Sequence, residues 1–160
     1  MFLARSMITL ILHNVRSVHN VGSIFRTADA AGAEHIYLTG YTPTPLDRFG
    51  QERSDFHKAA LGAEKSVSWS QETDLGALLG QLKQGGYQLL ALEQSPLSVD
   101  YKSVALREKT ALILGEERYG ITEDILEKCD TIIEIPMHGE KESLNVSVAA
   151  GIALYRLLNL

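Results

Sequence analysis

Six short apolar runs, each closed by a turn signal, limit the architecture of this chain more than any other feature. They are ITLIL (8–12), HIYLTG (35–40), SVSW (66–69), YQLLAL (87–92), TALILG (110–115) and TIIEIP (131–136). Their lengths suit strands, and the stretches between them at 20–33, 72–84 and 122–129 carry a helical period, with 144–158 following the last run. Strand and helix alternate, so the expectation is an α/β domain: a mostly parallel six-stranded sheet with helices on both faces.

A chain of 160 residues fits one domain able to bury roughly 70% of the surface its unfolded form exposes. A single domain over residues 1–160 with no second domain appended is therefore expected. The run MFLARSMITLILHN reads as a first strand, not a signal peptide, and no apolar stretch is long enough to span a membrane. The single cysteine, Cys129, can form neither an intrachain disulfide nor a thiolate metal site, which suits a reducing cytoplasm. Histidines at 13, 19, 35, 57 and 138 fall at no metal-ligand spacing, so no metal is expected.

The net charge of −5 argues against binding nucleic acid by bulk attraction. The charge is uneven: residues 1–60 hold six Lys or Arg against five Asp or Glu, and residues 61–160 hold nine against fifteen. Phosphate contacts, if made, must be local.

The helix expected from Asn20, with Asn20 as N-cap, buries Val21, Ile24, Phe25, Ala28 and Ala31 on one face. Gly22, Ser23, Arg26 and Ala30 share another, where small side chains leave open space around one guanidinium. The segment 40–66 holds two of the four prolines and many charges, and reads as a long functional loop followed by a short helix.

Familiar nucleotide loops are absent. GEERYGIT (115–122) has the glycine spacing of a phosphate loop but Ile121 where its lysine should stand, and HNVRSVHNVGS lacks a GxGxxG fingerprint. The end of the first strand carries His13 and Asn14 instead of an acidic pair, and Ser143 and Ser147 lack a nucleophile elbow. What remains is convergence. Ligands in open α/β sheets sit beyond the carboxyl ends of the strands, where this chain places HNVRSVHN, LEQS (92–95), GEERYG (115–120) and IPMHGEKES (135–143). With Ser143 as N-cap of the last helix, its hydroxyl and the free N–H groups at 144–146 would face that rim. Taken singly, each residue has a plainer reading: Ser143 a cap alone, Asn145 a partner for a buried backbone group, Glu117 solvated in a turn, Arg26 paired with Asp29.

Together, NVGSIFRTADAAGA (20–33), LILGEERYGITEDILEKCDTIIEIPMHG (112–139) and ESLNVSVAAGIALY (142–155) resemble, in order and spacing, the three motifs of the SpoU (TrmH) branch of the SPOUT RNA methyltransferases. The resemblance implies a SPOUT fold with a C-terminal trefoil knot, an exception to the rule against knotted chains, and a homodimer to which the last helix contributes. It implies transfer of a methyl group from S-adenosylmethionine to a ribose 2′-hydroxyl of tRNA or rRNA. The matching catalytic or site-shaping positions are Asn20, Arg26, Glu117, Ser143 and Asn145. Those for the cofactor are Leu92, Gly115, Ile135, Met137, Ser143, Leu144 and Asn145. RNA contacts are expected from Arg48, Arg53, Lys58, Lys65 and Arg118, with Tyr41 and Trp69 for stacking. Asp47, Glu52, Asp55 and Glu64 interleave with the first four of these cations. Two other readings stay open: a catalytically silent RNA- or cofactor-binding module of this fold, and a SPOUT enzyme that methylates a base.

Overall fold

A computed structural model describes residues 5–160; the first four residues of the run read as the first strand lie outside that range. The strands are β1 (Met7–His13), β2 (His35–Thr39), β3 (Trp69–Glu72), β4 (Gln88–Leu92), β5 (Val99–Asp100), β6 (Lys109–Leu114) and β7 (Thr131–Glu134). The helices are α1 (Val18–Ala31), α2 (Ser54–Ala60), α3 (Ala63–Ser66), α4 (Leu75–Gln84), α5 (Glu123–Leu126) and α6 (Val146–Leu157), with a 3-10 turn at Tyr101–Ser103. All strand pairs are parallel, in the order β3-β2-β1-β6-β4-β7-β5.

The sheet thus has seven strands where six are expected. The seventh, β5, is two residues long and exists because β7 offers an open edge: Val99 pairs with Ile133 and Asp100 with Glu134. Two residues carry no period to read. The third strand also lies later than SVSW: Val67 is a buried helix-terminal residue, and the ladder begins where Trp69 meets Ile36.

The central strands are buried on both faces because successive side chains enter different cores. Leu10, Leu12, Leu90, Leu112 and Leu114 pack with α1, α2 and α6, whereas Ile11, Ala91, Ala111 and Ile113 pack with α4 and α5. Helices therefore cover both faces, as expected.

The N-cap of helix α1 lies three residues before the expected Asn20. It is Ser17, the Ser17 side chain accepting from the Asn20 backbone N–H at 3.2 Å. This releases the Asn20 side chain from capping duty. Gly22 does not open space around Arg26 either, since a Cβ there would lie 2.4 Å from Ala59 Cβ. Its bare Cα lets α2 approach α1 closely, and beside that contact Phe25 meets Phe56 edge-on, ring centroids 5.1 Å apart.

After β4 the chain crosses beyond the end of β7 to reach β5, because β7 lies between β4 and β5. It then descends on the α1 and α6 face: Tyr101, Val104 and Leu106 pack on that core, and Arg107 N–H donates to Gln88 Oε1 at 3.0 Å. Helix α6 lies on this same face, packed against α1.

Candidate active site

A cleft of about 300 Å³ opens at the carboxyl ends of β4, β6 and β7. Its walls are the segments following those three strands, and side chains tie the walls together. Glu93, just past β4, accepts from Ile121 N–H through one carboxylate oxygen and from Gln94 N–H through the other, both at 2.9 Å. Gly120 reaches this contact with φ +69°, and a Cβ there would collide with the Glu93 carboxylate. Gln94 Nε2 in turn donates to Glu142 O at 2.8 Å, fastening the segment after β4 to the segment before α6.

The start of α6 answers a question posed by SLNVSVAAG, which mixes polar residues into a packing helix. Asn145, not Ser143, is the N-cap: its Oδ1 accepts from Ser147 N–H at 2.9 Å and Val148 N–H at 3.4 Å. A side chain with both acceptor and donor is needed because Asn145 Nδ2 donates to Asn20 Oδ1 at 3.2 Å. Asn20 Nδ2 then donates to Glu117 Oε1, also at 3.2 Å, and Glu117 Oε2 accepts from Arg16 N–H at 3.4 Å. Asn145, Asn20 and Glu117 form one relay joining the last helix, the first helix and the turn after β6.

The structure brings together most of the expected cofactor set: Leu92, Gly115, Ile135, Met137, Ser143 and Leu144 line the cleft, while Asn145 stands behind it as the cap. Ser143 is exposed and caps nothing. Arg26 is exposed on α1, six residues or about 9 Å along the helix from Asn20. It does not line the cleft, and no ion pair with Asp29 forms among the described residues.

Among the expected RNA contacts, Arg118 lines the cleft, stacked over the Tyr119 ring at 5.3 Å. Arg48, Arg53, Lys58 and Lys65 do not. Arg53 is held by Asp55 at 2.8 Å, Lys65 by Glu52 at 3.3 Å, and Arg48 stacks on Phe49 at 4.8 Å. Tyr41 leaves that group and stands with Arg16 instead, its ring 5.3 Å from the guanidinium. Glu93, Gln94, Arg16 and Ser17 are site-building residues that sequence reasoning missed. Only their position at strand ends hinted at them.

Electrostatically the cleft is acidic. Glu93, Glu116, Glu117, Glu134 and Glu142 line it against one arginine, Arg118. At the end of β1, burial holds the His13 imidazole below its ordinary titration range, against an opposing pull from Asp124. No group of side chains among the described residues has the makings of a metal site, and no helix is long and apolar enough to cross a membrane.

Comparison with known proteins agrees with this geometry. A tRNA (guanosine(18)-2′-O)-methyltransferase of Escherichia coli is 33% identical over 148 residues, which is 92% of this chain and 61% of that enzyme. An AdoMet-bound rRNA methyltransferase from Sinorhizobium meliloti superposes with a TM-score of 0.87 at 27% identity, over 97% of this chain and 57% of that one. A TrmH/SpoU tRNA modifying enzyme of A. aeolicus gives 0.84 at 30% identity, over 98% and 77%. The chain spans about 60% of the length of such curated relatives. The fold is that of the SPOUT methyltransferases. Residues 7–155 match the SpoU rRNA Methylase family model, and the chain belongs to that family.

Proposed function

We propose that the protein is an S-adenosylmethionine-dependent RNA methyltransferase that acts on a ribose 2′-hydroxyl of tRNA or rRNA in the cytoplasm. The observation that carries the reading is the relay from Asn145 through Asn20 to Glu117 at the mouth of an acidic cleft. The cleft's size is that of small-molecule sites. Leu92, Ile135 and Leu144 offer apolar walls for a purine ring, and the carboxylates offset a ligand whose sulfonium and ammonium groups are cationic.

When bound, S-adenosylmethionine supplies an electrophilic methyl group. The chain's contribution is alignment, which can supply much of the rate of an in-line displacement. Asn20 and the Arg16 N–H hold the two Glu117 oxygens, leaving the carboxylate oriented at the cleft mouth. Arg26 remains protonated, so it serves to hold the ribose and its adjacent phosphate, and the hydroxyl proton passes to that phosphate or to water.

A homodimer is part of this reading. Val148, Ile152 and Tyr155 form an exposed apolar stripe on α6, 37% to 50% accessible, continued by Leu144. Thr27, beside Arg26, lies against Gly151 of α6. Pairing two copies through this face would carry Arg26 to the partner's cleft, which accounts for its absence from its own. We infer also that the segment 135–145 threads beneath the crossing at 93–98, the trefoil knot; the Gln94 to Glu142 bond and the shared face of α6 and residues 101–108 support it.

Nucleoside mass spectrometry of RNA from cells lacking the protein tests the reading. Loss of one ribose methyl is expected. Loss of a base methyl would favour the base-methylating alternative, and no change a silent module.

A further inference from the structure

The cleft mouth carries an aromatic ring that is exposed yet held from several directions. Tyr41 follows β2, is 49% accessible, and its backbone N–H donates to Asn14 Oδ1 at 3.0 Å. Its neighbours fix it further. Thr42 is buried, its hydroxyl donating to Leu12 O at 2.9 Å and accepting from Val15 N–H at 3.1 Å. Gly40, at φ +63°, lies so close to the Asn14 side chain that a Cβ would overlap it. The Glu116 carboxylate near the phenol hydroxyl raises its titration range. Arg16 lies over the ring and makes an ion pair with the same carboxylate, Nη2 to Oε1 at 3.8 Å.

Nothing in the core needs this ring. Its backbone and one face are committed, while about half its surface stays in water. Such a ring has part of its rotational freedom removed before any ligand arrives, so a planar group can stack on it at reduced entropic cost. The Arg16 side chain is 73% accessible, with guanidinium N–H groups left over after its one ion pair. At the same mouth Tyr119, 71% accessible, carries Arg118 over its ring in the same manner. Each arrangement joins a π face to a cation, the combination that takes a base together with its phosphate. The acidic cleft behind them repels phosphate, so an RNA strand has to be gripped at this rim and not inside.

We propose that Tyr41, held by Arg16 and Asn14, is the stacking platform that selects an unpaired nucleotide and presents its ribose to the cleft, with Tyr119 and Arg118 as a second grip at the same mouth. A duplex keeps its bases stacked on one another and offers no face to Tyr41, so the platform discriminates loops from paired stems. The inference rests on the RNA methyltransferase reading.

The test uses the full chain with two labelled RNA probes of equal length, a hairpin with seven unpaired loop nucleotides and a fully paired duplex, read by fluorescence anisotropy. Calorimetry with S-adenosylmethionine runs alongside. The wild-type protein is expected to prefer the hairpin. Tyr41→Ala should weaken hairpin binding by about 5- to 150-fold and bring it down to the duplex level, the range expected for one lost base stack. Tyr41→Phe, which keeps the ring, should stay within about threefold of wild type in hairpin affinity and preference. Cofactor affinity should be unmoved in both variants, because Tyr41 does not line the cleft. Equal hairpin affinity for wild type and Tyr41→Ala, or no preference for hairpin over duplex in the wild type, overturns the inference and leaves the methyltransferase reading standing if the cofactor binds. Failure of the wild type to bind S-adenosylmethionine overturns that reading instead, and the ring dependence of RNA binding then stands as a separate result.

Discussion

Asn145 and Asn20, separated by 125 residues of chain, meet amide to amide at 3.2 Å. Each uses both ends of its amide: Asn145 caps α6 with its oxygen and reaches Asn20 with its nitrogen, while Asn20 accepts from Asn145 and donates to Glu117. The direction of both amides follows from this network, because Glu117 can only accept.

The two duties of Asn145 separate by substitution. Asn145→Asp keeps the oxygen that caps α6 and adds negative charge at a helix N-terminus, so thermal stability should hold or rise slightly. It loses the donor to Asn20, and methyl transfer should fall by about 10- to 100-fold, the range of a lost charge-orienting hydrogen bond. Asn145→Ala should lose activity and also about 1 kcal/mol of stability, measured by denaturant unfolding.

Gly22 is predicted to matter for stability alone. In Gly22→Ala the new methyl meets Ala59 Cβ and the backbone of Ala59 and Ala60, so α1 and α2 must move apart. A cost of about 1–3 kcal/mol is expected from such overpacking. Denaturant unfolding should show the loss, while calorimetry with S-adenosylmethionine at a temperature where the variant is folded should show wild-type affinity.

His13 should make the fold acid-sensitive. Its Nδ1 pairs with Thr39 Oγ1 at 2.8 Å and its Nε2 accepts from Asn14 Nδ2 at 3.2 Å, an arrangement for the neutral ring. Burial lowers its titration range below the ordinary 6.5, with Asp124 opposing. Below pH 6.5 the unfolded chain therefore takes the proton first, and stability present above that pH is lost as pH falls toward the folded value. Denaturant midpoints at pH 7.5 and 5.5 should differ less in His13→Gln than in wild type.

A shared site predicts complementation. Arg26→Ala and Asn145→Ala should each be inactive alone. Mixed and allowed to exchange subunits, they should regain about a quarter of wild-type activity, because half the dimers are mixed and each holds one intact site. No recovery despite exchange would place Arg26 and Asn145 in the same site of one subunit.

The alternation of apolar runs and helical stretches was legible without coordinates, as was the burial of Leu10, Leu12, Leu112 and Leu114, because a parallel strand sealed on both faces must be apolar throughout. The three motifs were legible too, and their resemblance to a known family implied Leu92, Gly115, Ile135 and Met137 as one wall set. Local pattern carries such information because it depends on residues a few positions apart.

Capping, approach and partnership were decided only by the tertiary structure. Ser17 caps α1 and leaves the Asn20 side chain to the relay, whereas Asn145 caps α6 with its oxygen and joins the relay with its nitrogen, and a contact between residues 125 positions apart is what sorts these duties. Gly22 was readable as small but not as the point where α2 arrives, and Tyr41 as aromatic but not as the neighbour of Arg16 and Glu116. Strand β5 has no signal of its own, since its partner is the open edge of β7. Contacts between distant segments follow from how the sheet orders its strands, and that order is set by the packing of the whole chain.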